Sequence, residues 1–514
     1  MRYAERTTPN TLNPYQMHKE RGVTERLYSL LYQGLVLYDP EIEQSVSRLA
    51  SHWEPEQGVT ESLTFHIREG AMWHDGTPVT ARDVEVTYNK LLNNIKVQNT
   101  ETVETVRSIV EKVTRLGNTV IKFDLVRSTD VSTALQYFEQ WIVPAHAFNP
   151  ETGLENSLNN SYLSDLAIGT GPFAMRKKKS ANGNVQMTSF DRTGTWEYWG
   201  DVPNLSEIEM YVEPDPFSRV QSALAGSAEL IIDVPVSQVD RIQNESGWTV
   251  KKYANDSFIS LAVNLSNAKL ANVKVRQAMM HAMDRLGLLK THYQGRGTIL
   301  HAPMVPGTPF STNDVVRYDH DVDKAKGLLA EAGFSIIGSS GIRQNAAGER
   351  LEFTMISFVD GAATETTRSN VLDTIVNELE DVGIRVNVEP LDFPVYIERL
   401  RSSREYDLAW WAPSFDSSYN ITKFFHSNYN AKGQPNFVGY QNNLVDRYLD
   451  EFNAATDPLS RTSNMAAVLK ELSQDLPYLY LLSIDKYYAT HVNLAVPKVH
   501  PFYFFSFVEV WSKF

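Results

Sequence analysis

Residues 63–92, LTFHIREGAMWHDGTPVTARDVEVTYNKLL, decide how this chain folds. Leu63, Phe65 and Ile67 alternate with Thr64, His66 and Arg68, which predicts a strand with one buried face. Asp75-Gly76 and Pro78 mark a turn. Thr80 then stands at a helix N-cap with Asp83 in the capping-box position, and Val84, Tyr88, Leu91, Leu92 and Ile95 recur at helical spacing on one face. The order is strand, tight loop, amphipathic helix.

Further ordered landmarks lie on either side. They are Thr11-Leu12-Asn13-Pro14, Tyr32-Gln33-Gly34-Leu35, Gly169-Thr170-Gly171-Pro172-Phe173, Tyr198-Trp199-Gly200 with Pro203, Val275-Arg276-Gln277-Ala278 with Ala282, Asp284 and Arg285, and the run from Ala325 to Phe334. Most read as architecture. Gly169 and Gly171 suit a close backbone approach, and His74 reads as a turn or packing residue. One helix from Val273 is expected to bury Val275, Ala278, Met279, Ala282, Met283, Leu286 and Leu289. Helices are also expected near 321–332 and 366–382, ending at Gly333 and Gly383, and strands at 120–125, 259–265 and 384–388.

In content and order these stretches resemble the peptide and nickel binding family of extracellular solute-binding proteins, the large receptors that serve ABC importers. Within 63–92, Phe65, Arg68, Gly70, Trp73, His74, Asp75, Gly76, Thr77, Pro78, Thr80, Ala81, Asp83 and Val84 follow its signature. The resemblance implies an α/β chain with a two-lobed periplasmic-binding-protein fold of the large, cluster-C-like type, an extra subdomain in the first lobe and a hinged cleft. Carried over, lobe I takes 1–38, 165–265 and 481–514, the extra subdomain 39–164, and lobe II 266–480. The chain would cross the hinge near 265–270 and 480–485.

Composition agrees. A chain of 514 residues exceeds a single core. No run reaches the roughly 18 apolar residues of a membrane span. The absence of cysteine excludes disulfides and thiolate sites. A net charge of −14 disfavours a nucleic-acid surface, and the one short basic run, Arg176 to Lys179, reads as a solvated hairpin. There is no GxSxG, HExxH or phosphate-loop sequence, and the 12 histidines are not paired at metal-ligand spacing. The expectation is therefore a non-catalytic protein without cofactor or metal. Arg2-Tyr3-Ala4-Glu5 leads straight into a first strand, which reads as a mature sequence whose export signal has been removed, and the resemblance implies a periplasmic or extracellular membrane-associated location. The aromatic end, Phe502, Tyr503, Phe504, Phe505, Phe507 and Trp511, is expected to be a last strand packed into the first lobe.

The candidate ligand residues come from the resemblance. In peptide-binding members a cleft strand carries an aspartate that pairs with the ammonium group of the peptide. An ungapped count from Tyr406-Asp407 puts Asp416 there. A closed cleft excludes water, so an entering ammonium needs a fixed counter-charge. Asp416 capping a turn before Ser417-Ser418 is the alternative. Aligning Trp411 on the family tryptophan instead puts Ser414 at that position and removes the counter-charge. Trp410 and Trp411 point to opposite faces of an extended segment, so one can meet a ligand while the other packs inside, and Phe415 is a further lining candidate. Residues 18–24 correspond to a strand that contacts the ligand backbone, with Arg21 and Gly22 as its candidates. His426 is a possible contact for a metal complex, or a bystander. The expected partners are an oligopeptide, with an oligosaccharide or metal chelate as alternatives, and a membrane permease, the receptor itself being a monomer. A ligand-sensing module of a transcriptional regulator is the reading from another class, and a peptide hydrolase the most remote.

Overall fold

The computed structural model describes the chain except residues 9–11, 16–20, 40, 43, 94–99, 148–166, 178–184, 190–201, 256, 360–362 and 416–417. It forms two compact units: Met1–Tyr253 with Thr456–Pro458 and Tyr487–Phe514, and Ala254–Ala455 with Leu459–Lys486.

In the first unit, the strand Arg2–Glu5 lies inside a seven-stranded mixed sheet, parallel to Glu207–Val212 on one side and to Leu230–Ile231 on the other. A separate four-stranded antiparallel sheet has the order Ala50–Glu54, Val59–Ile67, Val120–Asp130, Val110–Arg115. The alternation read at residues 63–67 holds: Leu63, Phe65 and Ile67 are buried. Phe65 packs on Phe123 and Phe138 at ring-centroid distances of 5.7 and 4.8 Å, and Tyr88 of the helix Ala81–Leu92 lies 4.7 Å from Phe123. That helix starts as expected. The Thr80 N–H donates to the Asp83 carboxylate at 2.7 Å, and the second carboxylate oxygen accepts the Ala145 N–H at 2.7 Å.

The loop between strand and helix is a clamp. His74 N–H donates to the Gly169 carbonyl at 2.9 Å, the Gly169 N–H donates to His74 Nδ1 at 3.1 Å, and His74 Nε2 lies 2.9 Å from the Gly171 carbonyl. Nδ1 accepts, so Nε2 carries the proton of a neutral ring. Burial lowers the His74 pKa to about 4 against the opposing pull of its carbonyl partners. A Cβ on Gly169 would stand 1.7 Å from the Leu31 carbonyl oxygen, and one on Gly171 2.3 Å from that of Leu30. Only glycine lets the three segments meet.

In the second unit a six-stranded sheet runs Gly297–Ile299, Tyr478–Ile484, Ile259–Val263, Leu408–Trp411, Glu352–Val359, Arg385–Asp392. The strand Ile259–Val263, expected in the first lobe, is central here and pairs with Leu408–Trp411 and Tyr478–Ile484. The units therefore divide next to Tyr253 and Lys486 rather than near 265 and 481. The predicted single helix from Val273 is two helices, Val273–Ala282 and Arg285–Tyr293. Asp284 accepts the Gly287 N–H at 2.9 Å and starts a new helix, so the face shifts and Leu286 is 48% exposed. Arg276 donates to the carbonyls of Leu270, Ala271 and Asp475, and Arg285 to those of Leu300, Tyr318 and Tyr480. Both arginines of the motif tie backbone ends together.

The aromatic C-terminus is not the expected strand. It turns repeatedly before a short pair of Ser512–Lys513 with Leu494–Ala495, yet Phe504, Phe505 and Trp511 are buried in the first unit's core. The expected packing into the first unit is present, and the strand is not.

Candidate ligand-binding site

The strand Leu408–Trp411 pairs antiparallel with Ile259–Val263, placing Trp410 opposite Leu261 and Trp411 opposite Ser260. Pairing continues beyond its end: the Phe258 N–H donates to the Pro413 carbonyl at 3.3 Å, and Ser257 bridges to Ser414. This extension brings Phe415 against Phe258 at 5.6 Å, with Tyr419 5.6 Å on its other side.

Alternation separates the two tryptophans as expected. Trp410 is buried, and its carbonyl accepts the Tyr396 hydroxyl. Trp411 is half-buried on the other face, with Phe437 edge-on at 4.9 Å and the Arg401 guanidinium 5.9 Å from its ring. Trp411, Ser414 and Phe415 line one pocket with Phe258, Phe424 and Tyr478. Pro303, Pro413, Ile421 and Phe425 complete its wall. In this form the pocket leaves about 10 Å³ of water-accessible space, room for roughly one water.

The wall is almost wholly apolar, which makes its polar atoms informative. Tyr478 Oη is buried and has no hydrogen-bond partner among the described residues. Burial pushes its phenol pKa well up, so it remains a neutral donor. The Arg401 Nε beside Trp411 is likewise buried without a hydrogen-bond partner. The sequence reading missed Tyr478, whose strand reads as one continuous apolar run, and Phe424, which sits in a short helix, Thr422–Phe425. Their position after the Trp411 strand in space, rather than in sequence, was the missing signal.

The remaining candidates stand elsewhere. Asp416 lies outside the described residues, as does Ser417. Residues 21–24 are not in the expected strand: Arg21 and Gly22 begin the helix Arg21–Leu31 in the first unit. Gly22 is exposed there, and residues 16–20 lie outside the described residues. His426 is buried, its Nδ1 accepting the Asn428 N–H at 3.0 Å as the cap of the turn Ser427–Tyr429, which makes it structural.

Residues 44–435 match the model of bacterial extracellular solute-binding proteins, family 5. The chain belongs to that family. Among curated relatives it is 24% identical over 495 residues to the oligopeptide-binding protein AppA of Bacillus subtilis, covering 94% of this chain and 86% of that one. The solved structure of that AppA, in complex with a nonapeptide, superposes with a TM-score of 0.80 at 22% identity, covering 100% of this chain and 98% of the other. NikA from Brucella suis, in complex with Fe(III)-EDTA, gives a TM-score of 0.84 at 20% identity, with 100% and 99% covered. The fold is thus the two-lobed α/β fold of these binding proteins, and the chain is a solute-binding protein of the kind that serves ABC importers.

Proposed function

We propose that this family 5 protein captures an oligopeptide, and that the Trp411 pocket, opening beyond the single-water space it has in this form, receives an apolar side chain of that peptide. The observation that carries the reading is the chemistry of the wall: six aromatic residues, two prolines and Ile421, with hydroxyls only on Ser414 and Tyr478, would be a poor match for a sugar or a charged chelate, whose polar groups would lose water without recovering hydrogen bonds. An aliphatic or aromatic side chain loses nothing on entry. The unpartnered Tyr478 hydroxyl supplies one donor for a peptide carbonyl, and Asp416, in the ungapped register, the counter-charge for its amino group. Support for a peptide also comes from the AppA relative and its nonapeptide complex.

In this reading the protein is non-catalytic and binds as a monomer. It acts outside the cytoplasm and hands its ligand to a membrane permease. Residues 39–164 form the extra subdomain of the first lobe, in keeping with the four-stranded sheet they contain. Closure in this reading needs contacts from both lobes, for which Arg21 and Gly22 are the candidates of the first lobe and the Trp411 pocket that of the second.

Isothermal titration against a peptide pool, an oligosaccharide pool and a nickel–histidine complex tests the proposal. Binding of peptides that carry a large apolar side chain is expected, weakened when that side chain is replaced by alanine. Binding of saccharides or the chelate alone would overturn it.

A further inference from the structure

The outer face of the four-stranded sheet in the first unit carries a second constellation that shares no residue with the Trp411 pocket. On the edge strand Ala50–Glu54, His52 and Glu54 point to the same side, two residues apart. A bulge between Ala50 and His52 puts His52 directly opposite His66 of the strand Val59–Ile67. The imidazoles stack at a centroid distance of 4.1 Å and an interplanar angle of 10°. His66 Nε2 stands 3.8 Å from the Glu54 carboxylate, and one donor atom from each of the three residues falls within 4.8 Å of the others.

Two details go beyond a stacked pair. The Ser51 hydroxyl stands 3.1 Å from the His66 carbonyl and 3.0 Å from His52 Nδ1; with its one proton on the carbonyl it accepts from Nδ1. Nδ1 then carries the ring proton and Nε2 keeps a free lone pair. An oxygen partner that fixes the tautomer in this way is the usual companion of a metal-ligating histidine. His66 Nε2, for its part, is closed to water and has no hydrogen-bond partner among the described residues. Lys122, opposite Thr64 on the next strand, is held by Asp124 at 2.7 Å.

We propose that His52, Glu54 and His66 bind one divalent transition-metal ion, with Ser51 as the positioning residue for His52. Two imidazoles and one carboxylate at the sheet edge leave coordination positions for water and suit Zn²⁺, Ni²⁺ or Cu²⁺ better than Ca²⁺ or Mg²⁺. Metal–ligand bonds of about 2.0–2.2 Å require the donors to draw together, which the exposed Glu54 side chain can do by rotation. The bound ion would pin the edge strand to its neighbour.

Titrating zinc chloride into the chelator-treated full chain tests this. One site per chain and a zinc-dependent rise in melting temperature are expected. His52→Asn and Glu54→Gln alter exposed side chains, so the metal-free melting temperature should stay put while zinc affinity falls by more than about tenfold. Ser51→Ala should weaken zinc by about tenfold through the lost tautomer control. Absence of zinc binding by the unaltered chain would overturn the assignment, as would wild-type affinity in the His52→Asn/Glu54→Gln double variant.

Discussion

Tyr478 holds a hydroxyl in an apolar wall with no hydrogen-bond partner among the described residues. A buried polar group left unsatisfied costs about 1–3 kcal/mol, and the ligand-free protein bears that cost. Tyr478→Phe should therefore raise the unfolding free energy of the free protein, measured by urea titration, by on the order of 1 kcal/mol and move the midpoint upward, while weakening peptide binding. A lowered midpoint would mean the hydroxyl is satisfied and has no ligand role. The opposite trade is expected at Gly169, where a methyl would collide with the Leu31 carbonyl at 1.7 Å. Gly169→Ala should cost more than about 2 kcal/mol in the same measurement, because a backbone atom cannot step aside as a side chain can. The glycine's role was legible in sequence. That of Tyr478 was not, because an apolar strand does not announce which of its hydroxyls goes unpaired.

Among elements, the clamp between the loop after Val59–Ile67 and the segment 169–171 makes stability depend on pH. Burial holds the neutral His74 ring at a pKa of about 4, below the ordinary value of 6.5. The unfolded chain therefore takes up a proton first as pH falls. The clamp's contribution is complete above about pH 6.5, is lost progressively down to about pH 4, and levels off below that, where the folded state is protonated too. Buried His500, also lowered to about 4, adds to the slope. Melting temperatures between pH 7.5 and 4.5 should fall for the unaltered chain and fall less steeply for His74→Gln. An equal slope would remove His74 from the account. The capping box at Thr80 and Asp83 and the buried face of Ala81–Leu92 could be read directly, since both are local. The break at Asp284, the helix at Arg21 and the coiled C-terminus could not. Each depends on which distant backbone groups need a partner or a cover: Arg285 ends where three carbonyls converge, and Trp511 reaches the core from a turn. His52 and His66 likewise become a pair only when their strands meet in register.

At the scale of the molecule, the chain passes between two units with their own sheets next to Tyr253 and Lys486 and on either side of Thr456–Pro458. In the proposed function the peptide is the element that makes one arrangement of the units prevail. It can do so only through differential affinity: shifting a population from 1:99 to 99:1 takes about 5.5 kcal/mol more binding to the closed state. The Trp411 pocket alone belongs to one unit, so a ligand held there and nowhere else would bind both arrangements equally and move nothing. Small-angle scattering separates the cases. A peptide that also engages the first unit should reduce the radius of gyration at saturation. Trp411→Ala should raise the peptide concentration needed without changing the end point, since the rest of the pocket and the contacts of the other unit remain. Binding by calorimetry with no change in radius would confine recognition to the second unit and remove closure from the mechanism.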